Sequence, residues 1–177
     1  MNERIRKRTK YITLSAMLSA LGVVLLSLGS LIEVLDITTS VFASLLCIYA
    51  VIEMGGAYPW MIWLVTSTLG LLLLPVKTPA VFYALFAGFY PILKEKLEKL
   101  KRPLSDIFKL VVFHVCLGAI VLVMTLFIPN ALGLADAKWM PVVLYLMSLA
   151  VFVLYDIALT RLISFYLIRL RKRFRIR

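Results

Sequence analysis

From Tyr11 to Ile32 the chain carries no charged side chain, and this run follows directly on Arg4, Arg6, Lys7, Arg8 and Lys10. A helix rises about 1.5 Å per residue, so the run is long enough to cross a hydrocarbon layer of about 30 Å. The positive-inside rule then sets its basic end in the cytoplasm. Composition closes off a water-soluble fold: 63% of the 177 residues are hydrophobic, 16% are charged, and mean hydropathy is +0.99. So few polar side chains cannot cover a surface facing water. The run is too long for the apolar region of a cleavable leader and has no clear small-residue cleavage site, so it is expected to stay in the mature protein.

The same alternation repeats along the chain. Apolar stretches at 11–32, 37–54, 58–74, 80–93, 106–128 and 139–168 predict an all-α integral membrane protein of six transmembrane helices in one domain. The paired glycines Gly55 and Gly56 predict a tight reversal, and Pro59 sits in the first turn of the third helix, where its missing N–H costs nothing. Pro75 and Pro79 bound another turn, and Pro91 is expected to bend the fourth helix. Charge checks the count. The N-terminal arm, the segment 94–104 and the tail from Arg169 hold 16 of the 20 basic residues, and with six spans all three fall on the cytoplasmic side. Both termini are therefore expected in the cytoplasm, in a multi-pass protein of the cell membrane.

Residues 94–104 read as an amphipathic extension along the inner membrane surface: Leu93, Leu97, Leu100 and Leu104 keep helical spacing, and Glu95–Lys99 and Glu98–Arg102 are favourably oriented pairs. The basic clusters predict contact with anionic lipids rather than with nucleic acid, because they lie in short flanks and not on a folded polar face. Cys47 and Cys116 stand alone in apolar helices, so no disulfide, metal site or other cofactor is expected.

Within the predicted spans lie Glu53, Lys109, His114, Asp156 and Arg161. Charges there are expensive unless paired, and all but Glu53 fall toward the cytoplasmic half, which favours pairing between the last two helices over a proton pathway. No nucleophile and base share a recognisable spacing, so the chain does not read as an enzyme. A small-solute site is expected at the extracellular side, where sparse polar groups meet aromatic rings: Glu33, Asp36, Tyr83, Asn130, Asp136 and Trp139. On the first helix, Ser15, Ala16, Ser19 and Ala20 keep one side thin, with Gly22 nearby, so that another helix can approach closely.

Ala16 and Ala20, four residues apart just after a basic N-terminus in a six-span chain of this size, resemble the first-helix alanine motif of the substrate-binding S components of energy-coupling factor transporters. The resemblance covers the whole chain in topology and two residues in motif; Ser15 and Ser19 extend the small surface. It implies a bacterial importer subunit that captures a vitamin-like solute outside, docks by its first helix on a transmembrane scaffold subunit, and is driven by separate ATPase subunits. With no phosphate-binding loop, the chain itself is not the ATPase. The other reading open to the sequence is a noncatalytic membrane scaffold or regulator acting through its basic cytoplasmic segments.

Overall fold

The computed structural model describes residues 3–98, 102–127 and 139–170. These residues are helical apart from short turns: α1 (Glu3–Leu31), a single 3₁₀ turn (Glu33–Leu35), α2 (Asp36–Glu53), α3 (Tyr58–Leu73), α4 (Thr78–Phe82), a π turn (Tyr83–Ala87), α5 (Phe89–Leu97), α6 (Arg102–Phe127) and α7 (Met140–Phe165), which ends in a second π turn (Tyr166–Leu170). Four helical stretches are long and apolar enough to cross a membrane: Ile5–Leu31, Asp36–Glu53, Leu104–Leu126 and Met140–Ile168. α3 is apolar but shorter. Large apolar side chains such as Met17, Leu72, Leu122 and Leu154 point outward, as they do where the surroundings are lipid tails.

The chain forms two compact units, residues 1–112 and 113–177. In the first, α1 lies close against α2 and α3. The reason is a row of small residues: Ser15, Ser19, Gly22, Gly29 and Ser30 are buried at helical spacing with Leu26. A Cβ added at Gly22 would stand 3.0 Å from Thr66 Cγ2, and one at Gly29 would collide with the Thr39 hydroxyl. Across the same packing, a Cβ at Gly70 would stand 3.2 Å from Ala80 Cβ. The core this creates holds Leu26, Ala43, Leu74, Ala80, Tyr83 and Ala87, with Trp63 packed against it.

The turns follow their local chemistry. Gly55 and Gly56 take φ of 60° and 61°, a region other residues seldom enter, and α3 begins directly afterwards with Pro59 in its first turn. The fourth predicted span departs from a plain helix. A π turn precedes Pro91, and its Gly88 N–H bonds back five residues to Tyr83 O at 2.8 Å. Pro91 cannot donate to the Ala87 carbonyl and its ring crowds that oxygen; widening the preceding turn relieves the clash. Of the amphipathic stretch predicted over 94–104, Leu97 closes α5 and Leu104 belongs to α6, while residues 99–101 lie outside the described part.

In the second unit, the Phe113 and Phe152 rings stack with centroids 4.6 Å apart. Phe113, Cys116, Ile120 and Met124 make the buried row of α6, and Phe152, Tyr155 and Leu159 that of α7. Steps of three and four residues put each row on one helix face.

Candidate docking face and polar pole

The four small residues predicted as a docking flank fall on two sides of α1. Ser15 and Ser19 are 5% and 3% exposed, whereas Ala16 and Ala20 are exposed. Ser15 donates to Tyr11 O at 2.8 Å, and the Ser19 carbonyl accepts from Thr66 Oγ1 at 3.4 Å. A step of one residue turns about 100° around a helix, so adjacent positions cannot share a contact. The inner row is taken by α2 and α3. The outer row, Ala16 and Ala20 among Ile12, Met17, Leu21 and Val24, remains open within the described residues of the first unit.

Of the residues predicted to bind solute, Asp36 opens α2 and is half-buried, Glu33 lies in the adjoining 3₁₀ turn, and Tyr83 is 1% exposed within the core. Trp139 is exposed at the start of α7, in the other unit, and Asn130 and Asp136 lie outside the described residues. Around Asp36 a set of hydroxyls that sequence reading left aside knits three segments together. Ser40 Oγ lies 2.8 Å from both Asp36 O and Pro79 O, Thr39 Oγ1 donates to Leu35 O or Asp36 O, and Val76 N donates to Ser30 Oγ at 2.9 Å. The Lys77 ammonium closes on the Leu74 carbonyl. The end of α1, the start of α2 and the link before α4 thus form one polar pole. No local sequence signal marks it, because Ser30 and Ser40 belong to different helices and buried serines in membrane helices equally mark close packing.

Of the ionisable residues within helices, His114 and Lys109 are paired. His114 Nε2 lies 2.8 Å from the Tyr145 hydroxyl, a polar contact that joins α6 to α7. Lys109 Nζ is 4.0 Å from Glu98, and Lys94 Nζ is 3.5 Å from the same carboxylate. Lys94, which the sequence places in a charged amphipathic extension along the membrane surface, is only 1% exposed. It shares its helix row with Tyr90 and Leu97, both buried, so the row carries it inward. Lys99 and the Arg102 side chain, the predicted partners of Glu95 and Glu98, lie outside the described part. Asp156 is half-buried and Arg161 exposed on α7, and Glu53 ends α2 half-buried. Among the described residues no three His, Cys, Asp or Glu side chains gather where they could hold a metal ion.

At the opposite end of the first unit the Tyr11 and Tyr58 rings meet edge to face at 5.4 Å. Trp60, Trp63 and Phe89 pack in a triangle, with the Lys96 ammonium 5.6 Å from the Trp60 ring centroid. Such amphipathic rings favour the level where lipid headgroups begin. No family model, curated protein or solved structure matches this chain.

Proposed function

We propose that the chain is the solute-capture subunit of an energy-coupling factor importer, with six spans and both termini in the cytoplasm. The observation that carries the reading is the open row of α1: Ala16 and Ala20 stay exposed while the neighbouring small residues are used up in internal packing. A pair of alanines with no described residue of the first unit over it lets a scaffold helix approach to backbone distance, and the contact stays reversible because little else holds it. Two further spans fit this topology. α3 reaches about 24 Å and is bordered by Trp60, and the stretch from Thr78 to Leu97 reaches about 30 Å, lengths that tilt or local thinning reconcile with a bilayer. The solute is taken at the polar pole, beside Asp36 and next to the turn that contains Glu33.

The test is substitution on the open row. Ala16→Trp together with Ala20→Trp abolishes uptake and co-purification with the scaffold subunit and leaves solute binding intact; docking that survives both tryptophans rejects the reading. Native mass spectrometry of the gently purified protein identifies solute and companion subunits in one measurement.

A second reading has one observation in its favour. α1 continues as a helix through the basic arm, with Arg6, Lys7, Arg8 and Lys10 exposed, which suits a lipid- or partner-binding scaffold. Neutralising these four residues lowers retention on vesicles containing phosphatidylserine if the arm is the working part, and leaves solute uptake unchanged.

A further inference from the structure

At the π turn over Tyr83–Ala87 an indole from α3 bonds the carbonyl that a plain helix would give to a backbone N–H. In an uninterrupted α-helix the Gly88 N–H would bond to the carbonyl four residues back, that of Ala84. Here it reaches Tyr83 O instead, and the Ala84 carbonyl accepts the Trp63 indole N–H at 2.9 Å. If Trp63 lets go, Gly88 can take Ala84 O, so the exchange leaves the backbone oxygen satisfied in either arrangement. The same number of residues in α register then turns the segment ahead of the bulge by about 100° and shifts it by about 1.5 Å, one residue's worth of helix. The non-helical link from Leu74 to Lys77 is where that displacement is taken up.

Trp63 is well placed to hold one arrangement. Its ring packs on Trp60 and Phe89, which sit on α3 and on the far side of the turn, and it lies against the core that contains Tyr83. On the moving side, the present phase is marked by Ser40 Oγ on Pro79 O and by Ala80 against Gly70. Tyr83 reports the phase directly. It is 1% exposed, while the flanking positions Phe82 and Ala84 are both half-buried, so a one-residue turn in either direction brings the phenol toward the surface.

We propose that the π turn is a two-position register switch, latched by the Trp63 indole, that keeps the Tyr83 phenol inside the first unit until the latch opens. Trp63 is a positioning residue: it acts on Tyr83 through the Ala84 carbonyl. The switch stands on these hydrogen bonds alone and does not depend on the solute-capture reading.

The test replaces Trp63 in the full chain, held in lipid nanodiscs, with 3-benzothienylalanine, which keeps the ring and removes the N–H. Site-resolved nitration by tetranitromethane is then read at Tyr83 against Tyr90. Tyr90 is equally buried but lies beyond the turn, so it corrects for general loosening. The Tyr83/Tyr90 ratio rises about tenfold, the scale expected for losing one buried hydrogen bond from the latched arrangement. Deleting Ala84 removes the extra residue, leaving a straight helix with both flanks in their present phase, and in that background the isostere leaves the ratio unchanged. An unchanged ratio in the full-length chain overturns the switch whether or not the deletion variant folds. Equal rises in the two backgrounds overturn it as well, because they mark Trp63 as packing only.

Discussion

Gly88 offers a sharp contrast between what a helix prefers by itself and what this fold permits. Its φ of −81° is helical, so Gly88→Ala relieves rather than creates backbone strain and taken alone stabilises by about 1 kcal/mol. The added Cβ, however, would sit 2.7 Å from Tyr83 Cζ and 2.8 Å from Trp63 Cδ1. Neither ring yields easily: Tyr83 is fully buried, and Trp63 is tied to Ala84 O and wedged between Trp60 and Phe89. Overpacking of this kind costs about 1–3 kcal/mol, and displacing the indole gives up about 1 kcal/mol more in hydrogen bonding. The net expectation is a loss of about 2 kcal/mol. Gly118→Ala is the matched control, because nothing lies within 4 Å of its would-be Cβ, and it should gain up to about 1 kcal/mol. Reversible unfolding in mixed dodecylmaltoside and sodium dodecyl sulfate micelles, followed by circular dichroism, measures both. If Gly88→Ala proves as stable as the parent chain, the close packing of Gly88, Tyr83 and Trp63 described above is wrong.

Other substitutions probe separate parts of the argument. Ser19→Trp should prevent folding by driving α1 off α3, while Ala16→Trp and Ala20→Trp leave the thermal midpoint within a few degrees of the parent; similar damage from all three would mean the two rows of α1 are not distinct. Ser40→Ala removes the bond to Pro79 O and is expected to cost about 1 kcal/mol in the same micelle titration, whereas Ser27→Ala, whose hydroxyl donates one turn back to Val24 O, should be near neutral. A double-mutant cycle on His114→Ala and Tyr145→Phe should return a coupling of about 0.6–1.7 kcal/mol, the range for hydrogen bonds between membrane helices, and a coupling of zero removes that contact as a tie between α6 and α7.

Most of the helical plan could be read from the residues, because long apolar runs and their punctuation are local signals. Gly55, Gly56 and Pro59 announce the α2–α3 reversal without help from the rest of the chain. The two-sidedness of α1 could not be read. Ser15, Ala16, Ser19 and Ala20 are all small, and what separates them is Thr66, which lies far along the sequence and close in space. The π turn was half legible: Pro91 signals a disturbance, but where the surplus residue settles depends on Gly88 and on an indole from another helix. Lys94 was misjudged from its charged neighbours, since the row it occupies, rather than its local composition, turns it inward.

The buried serines and threonines of α1 and α2 have one more effect. Ser15, Thr39, Ser40 and Ser44 each lie within bonding distance of a carbonyl about one turn earlier in the same helix. A segment entering the bilayer alone therefore need not drag a bare polar hydrogen into oil, although it carries several hydroxyls. Insertion and assembly can be separate events in time: each rod can be threaded into the membrane singly, and the grooves find one another by lateral diffusion afterwards.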